Sequence, residues 1–408
     1  MKNDFTSVPE RRGDYSLKWD IPDGQLPMWV ADMDFATAPA ILEAIVARAK
    51  RGVFGYTVIP DAWHEAYVDW WRTRHNTELQ KDWLIFCTGI VPAISSMVRK
   101  LTTPNENVVI QTPVYNIFFN SIINNGCRVQ ESPLLYDNGT YCVDFEDLEA
   151  KLANPQTSLF ILCNPHNPVG RIWSREELER MGELCAKYNV TVISDEIHCD
   201  LTEPGREYIP FATVSETCRR ISVSCYAPTK AFNLAGLQTA AVCVPEPFLR
   251  HKVWRGLNTD EVAEPNAFAV DAAISAFTKG ASWLDELREV IASNKQAVYE
   301  ACQELPVEAV KGEATYLVWL DCRDFCAEHG DIFSKQSGKQ GRQDMRVESD
   351  EQVWNNLAEA ICAKTGLLLC DGSEYGDAGS GFLRMNVACP RTVLDDGLSR
   401  LRRFFAEF

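Results

Sequence analysis

Between residues 83 and 250 the chain alternates short apolar runs with helical segments, and this alternation narrows its fold more than any other feature. Runs at 107–112, 127–133, 158–163, 190–195, 220–225 and 238–244 have strand character, and the continuous apolar ones read as strands buried on both faces. The segments between them carry helical periodicity, and the one at Ser174-Arg175-Glu176-Glu177 opens on a serine placed to cap it. Strand–helix alternation of this kind predicts an α/β domain with a mostly parallel sheet flanked by helices. Ligands gather beyond the carboxyl ends of such strands, so the residues that follow each run matter most.

Three of these ends carry chemistry. The run Ser222-Val223-Ser224-Cys225-Tyr226 stops at Ala227-Pro228-Thr229-Lys230, followed by small residues and Gly236. A lysine held among apolar residues is desolvated, which lowers its pKa and frees its lone pair for reaction with a carbonyl. Val190-Thr191-Val192-Ile193-Ser194 runs into Asp195-Glu196-Ile197-His198, which sets Asp195 where a ligand would lie. Ser158-Leu159-Phe160-Ile161-Leu162-Cys163 ends in Asn164-Pro165-His166-Asn167-Pro168-Val169-Gly170, a turn-forming cluster. Taken singly, each has an ordinary alternative: a solvated surface lysine, an acid capping the next helix, a plain turn.

The order and spacing of the three resemble fold-type I pyridoxal phosphate (PLP) enzymes, the aspartate aminotransferase superfamily. There an Asn-Pro-x-Asn-Pro-x-Gly turn is followed by a strand ending in Asp-Glu, then by a strand ending in the cofactor lysine. Asn167, Asp195 and Lys230 fall on those positions. Five further stretches are similar to the MalY/PatB group of cystathionine β-lyases: Met28-Trp29-Val30-Ala31-Asp32-Met33-Asp34-Phe35, Gly55-Tyr56-Thr57, Asp195-Glu196-Ile197-His198, Ala227-Pro228-Thr229-Lys230 and Arg384-Met385-Asn386-Val387-Ala388-Cys389-Pro390-Arg391. Departures from the wider superfamily agree with that branch, with His198 for tyrosine, Ala227 for serine and Gln238 for a phosphate-binding arginine. Thr229 replaces the serine more frequent there and keeps the hydroxyl.

The resemblance implies a role for each residue. Lys230 would bind the cofactor and move the substrate proton, and Asp195 would hold the pyridine nitrogen protonated. Asn167 would contact cofactor and substrate. The amides of Ile90 and Val91, at the helix start after Thr88-Gly89, would hold the phosphate with the Thr229 hydroxyl. Tyr115 would stack on the ring, although a core tyrosine is an equal reading. Tyr56 would reach the phosphate from the neighbouring subunit of a homodimer with shared active sites. Arg384 would grip the substrate carboxylate, the alternative being a structural salt bridge. Trp29 and Ala31 would line the substrate side. His198 would bond near the ring oxygen or cap its strand. The implied activity is carbon–sulfur β-elimination on cystathionine or related cysteine S-conjugates. An aminotransferase, or a regulatory protein acting through a partner, remains the alternative.

The remaining sequence bounds this picture. A chain of 408 residues suits two domains, expected at 51–280 (large, cofactor-binding) and 281–408 (small), with residues 1–50 joining the small one. In the second half the pattern predicts a helix at 282–303, a strand at 314–321, a helix at 350–364 and a short strand at 367–370. Residues 331–350 are polar and read as an exposed insertion. A net charge of −17 argues against nucleic acid or anionic membrane as a partner. No apolar run is long enough to span a bilayer, and the N-terminus lacks a signal-peptide core, so a cytoplasmic location is expected. The fifteen cysteines are scattered, odd in number and without paired Cys-x-x-Cys motifs, which predicts reduced thiols and no metal site.

Overall fold

The computed structural model describes residues 3–332 and 354–408. Beyond residue 332 the expected insertion at 331–350 lies outside the described residues. The larger sheet has seven strands in the order Leu84–Cys87, Ala240–Cys243, Ser222–Tyr226, Thr191–Asp195, Thr157–Cys163, Asn107–Ile110 and Arg128–Glu131. Only Ala240–Cys243 runs against its neighbours. The three central strands are buried except at Ser158 and Thr191, as expected of strands covered on both faces. Ser174 and Glu177 form the reciprocal cap that opens the helix Arg175–Lys187.

Register fixes where the functional ends lie. Cys163 pairs with Asp195, and Asp195 pairs with Cys225. The three motif-bearing strands therefore stop level with one another, and their trailing residues open onto one edge. Ile110 pairs with Ile161, which brings the turn Gln111-Thr112-Pro113-Val114-Tyr115 to the same edge. Leu84–Cys87 delivers Thr88-Gly89 and the helix Ile90–Leu101 there as well.

A second, antiparallel sheet contains Glu308–Val310, Leu317–Asp321, Phe382–Asn386 and Cys370–Asp371 in that order. The helices Ala281–Cys302, Leu357–Thr365 and Arg391–Phe405 share its core, which includes Val298, Ile361, Leu383, Met385 and Leu401. The N-terminal fifty residues divide between the two bodies. Leu26–Pro27 pairs in parallel with Leu367–Leu368, whereas the helix Pro39–Lys50 packs on Ala269–Lys279, where Ser275 donates to the Ala40 carbonyl at 2.9 Å.

Several boundaries differ from the sequence reading. The strand expected from 314 starts at Leu317, because Thr315 adopts φ +67° and donates its amide to Leu201 O at 2.7 Å. The helix expected from 350 starts at Leu357, where the Asn356 side chain accepts the Glu359 amide. The strand expected at 367–370 is two pieces with different partners, broken at Leu369. Gly170 and Gly312 meet where the two bodies join. Gly170 has φ +74°, and a Cβ there would lie 2.8 Å from Ala314 O. Its carbonyl accepts the amides of Glu313 and Ala314 at 2.7 and 2.9 Å, which fastens the Asn167 turn to the second sheet. All fifteen cysteines are free, twelve of them buried.

Candidate active site

The segment Trp29–Phe35 lies across the mouth formed by the strand ends, and its backbone carbonyls meet the groups predicted to act. Lys230 Nζ donates to Ala31 O at 2.6 Å. Arg384 Nη2 donates to Trp29 O at 2.9 Å. The segment is held by two asparagines. Asn386 Nδ2 donates to Val30 O and Asp32 O, both at 2.6 Å, and Asn233 binds the Met33 and Phe35 carbonyls at 3.0 and 2.9 Å. An ion-pair cluster grips its far end, where the buried Asp34 accepts from Lys18 Nζ at 2.8 Å and Arg11 Nη1 at 2.8 Å.

Burial tunes the titrating groups. Lys230 is lowered to about 8 by desolvation and the positive field of Arg384, against the opposing pull of Asp32 and Asp195. Asp195 is buried and raised to about 6, with the Ile197 amide on its Oδ1 at 3.1 Å and Lys230 drawing it back down. His198 is pushed down to about 3 by burial and the nearby Lys230 and Arg384 charges, which favours its neutral imidazole. Its Nδ1 is buried without a partner among the described residues. Burial moves Tyr115 up to about 12 and keeps its hydroxyl protonated.

Arg384 is the most informative side chain here. It sits mid-strand, 4% exposed, over the Tyr375 ring at 5.0 Å. Nη1 donates to Asn167 Oδ1 at 3.3 Å, Nη2 also meets Cys370 Sγ at 3.3 Å, and Nε has no partner among the described residues. No carboxylate of the described residues pairs with it, so the salt-bridge alternative fails there. A buried guanidinium is normally balanced by an anion. A bound carboxylate would supply it.

The predicted residues are thus brought together with one exception. Asn167, Asp195, His198, Lys230, Tyr115 and Arg384 interact through contact or field, and Trp29 and Ala31 join them through their carbonyls. Thr229, beside Lys230, is buried, and Ile90 and Val91 open a helix whose first amides have no intrahelical acceptor. Tyr56 stands apart and fully exposed, in a groove of about 780 Å³ that it shares with Phe54, Gln238, Asn266 and Phe268. Residues the sequence did not single out include Tyr316, Asn233, Asn386, Cys370 and His166. His166 Nε2 donates to Pro113 O at 2.7 Å and so ties the Tyr115 turn to the Asn167 turn. His75, Cys199 and Asp200 also converge, but Asp200 already accepts from His75 Nε2 at 2.9 Å and Trp70 Nε1 at 3.0 Å, with Arg74 at 3.5 Å.

These groups fit pyridoxal phosphate. A buried carboxylate with no salt bridge among the described residues, an amine of lowered pKa, a neutral imidazole nitrogen without a partner among the described residues and helix-start amides match its ring nitrogen, aldehyde, ring oxygen and phosphate.

The family model "Aminotransferase class I and II" matches residues 24–401, and the chain belongs to that family. Within it, the chain is 40% identical over 407 residues to the cystathionine β-lyase PatB of Bacillus subtilis (strain 168), covering 98% of each. Protein MalY of Escherichia coli (strain K12) is 31% identical, with 98% of this chain and 97% of MalY covered. Cystalysin from Treponema denticola, solved with a pyridoxal 5'-phosphate cofactor, superposes with a TM-score of 0.90 at 29% identity, covering all of both chains.

Proposed function

We propose that the protein is a PLP-dependent carbon–sulfur β-lyase that converts L-cystathionine or related cysteine S-conjugates to a thiol, pyruvate and ammonia. The observation that carries the reading is Arg384, a buried cation with no carboxylate of the described residues paired to it, set one backbone segment away from Lys230. An α-amino acid satisfies both ends of that arrangement. Its carboxylate takes the guanidinium, with Asn167 alongside, and its Cα faces the amine.

When bound, pyridoxal phosphate supplies the aldehyde that takes up the substrate amine and the ring that accepts the electron pair left on Cα. Asp195, ionised above about pH 6, would hold the ring nitrogen protonated. Lys230 takes the Cα proton as general base. With its pKa near 8, about a tenth of a free amine is neutral at pH 7, far more than an ordinary lysine offers. The C–S bond then breaks with its electron pair on sulfur, and the thiol leaves with a proton equivalent to the one Lys230 took from Cα. Water hydrolyses the remaining unsaturated amine to pyruvate and ammonia.

The unit we infer is a homodimer in the cytoplasm. Val53, Phe54, Tyr56 and Val58 form an exposed apolar run, and monomeric surfaces rarely present such a stretch. A second copy seated there would cover the run, and its Tyr56 would serve this chain's site, giving shared sites. No helix of the described residues is long and apolar enough to cross a membrane.

The test is incubation of the PLP-loaded protein with L-cystathionine and no keto acid, measuring pyruvate and free thiol together. Equal, catalytic yields of both support the lyase. Turnover that needs added 2-oxoglutarate and releases no thiol makes it an aminotransferase instead.

A further inference from the structure

Ala31 O is shared by two donors from different parts of the chain, Lys230 Nζ at 2.6 Å and the Tyr316 hydroxyl at 2.8 Å. Tyr316 precedes the strand Leu317–Asp321 of the second sheet and is fully buried. Burial, with Asp32 and Tyr115 adding to it, drives its pKa far above the ordinary tyrosine value, so the hydroxyl stays a donor. Asn386 holds the carbonyls on either side, Val30 O and Asp32 O, and leaves Ala31 O to the lysine and the tyrosine.

We propose that Ala31 O is the resting place of the Lys230 amine whenever that amine is not bonded to cofactor, and that Tyr316 is the positioning residue that aims it. The inference rests on the lyase reading above. That reaction displaces Lys230 from the cofactor in every turnover, so a buried amine must be held near the Cα proton without being trapped. An amine left with no partner in such surroundings is disfavoured, and one gripped as a salt-bridged ammonium cannot act as a base. A neutral carbonyl avoids both. With Tyr316 on the same oxygen, the carbonyl gives less of its acceptor strength to the ammonium, which favours the neutral form. The other groups facing the amine are Asp32, Asp195, His198 and Arg384, and none changes in a Tyr316→Phe protein.

The experiment compares wild type with Tyr316→Phe, which keeps the buried ring; equal melting temperatures establish that both fold. In the PLP-loaded enzymes acting on L-cystathionine, kcat should fall about 10-fold while KM stays within about 2-fold, because the Arg384 contacts are untouched. In the cofactor-free proteins, the pH midpoint for reductive methylation of Lys230 by formaldehyde and cyanoborohydride, followed by peptide mass, should rise by roughly half a unit as Ala31 O binds the ammonium alone. An unchanged or lower midpoint overturns the proposal, as does an unchanged kcat or a loss confined to KM. If wild type releases no thiol, the lyase reading fails on its own, and the methylation midpoint still decides the role of Tyr316.

Discussion

Replacing Arg384 with lysine keeps the charge and removes the geometry, which makes it a sharp probe of the site. The guanidinium meets Trp29 O, Asn167 Oδ1 and Cys370 Sγ at once, and its Nε has no partner among the described residues. A lysine ammonium, shorter and not planar, cannot reach these partners and also take a carboxylate through two parallel bonds. Losing one charge-assisted hydrogen bond costs about 1.5–3 kcal/mol, and about 1.4 kcal/mol is tenfold, so kcat/KM should fall roughly 10- to 150-fold. The loss should fall mainly on KM, because the carboxylate is bound before and during the chemistry. Initial rates of pyruvate release over a range of L-cystathionine concentrations give both constants. A parallel assay with cystathionine carrying an amide at the carboxyl end beside the scissile bond supplies the control. Wild type should discriminate against the amide strongly, and Arg384→Lys should discriminate far less. If the variant keeps kcat/KM within twofold, or discriminates as wild type does, Arg384 is structural and the carboxylate is bound elsewhere.

Two further outcomes are expected. Because the folded-state pKa of Lys230 lies below that of an unfolded lysine, the buried charge opposes folding fully below about pH 8, and the penalty vanishes above about pH 10.5. Lys230→Met should therefore stabilise the cofactor-free protein by about 1–3 kcal/mol at pH 7, allowing for screening of a partly accessible side chain, and by little above pH 10.5; urea melts showing no gain at pH 7 would contradict the desolvated amine. If two chains share each site, mixing inactive Tyr56→Ala and Lys230→Ala subunits should restore part of the activity, since one hybrid site recovers both groups; no recovery after proven subunit exchange rules out shared sites.

The parts of the site carried by strand ends were legible in the sequence. Asn167, Asp195 and Lys230 each follow a run of β-branched or apolar residues within a few positions, and the parallel sheet sets those ends level. The groups that aim them were not legible, because they act through backbone carbonyls brought close only by the fold. Asn233 binds Met33 across 200 positions, and Tyr316 reaches Ala31 across 285. Asparagine and tyrosine at such places look like ordinary turn and core residues. The strand Phe382–Asn386 was obscured by the arginine at its centre, a charge that a purely apolar pattern excludes. Tyr56 was read by resemblance alone, and its surroundings in one chain are solvent.

The cysteines take on a different meaning once the proposed product is a thiol. Exchange and mixed-disulfide formation proceed through the thiolate, so a cysteine whose proton is held tightly and whose sulfur is out of reach is a poor target. Burial pushes Cys87 and Cys389 up to about 12 and Cys302 and Cys326 up to about 11, and it raises the strand cysteines Cys163, Cys225 and Cys243 as well. Of the fifteen, Cys142 alone is exposed, on the short hairpin strand Thr140–Cys142. If the released thiol is oxidised to its disulfide, exchange onto this chain displaces one thiol for each mixed disulfide formed, and it falls first on Cys142 and then on the half-buried Cys326 and Cys362.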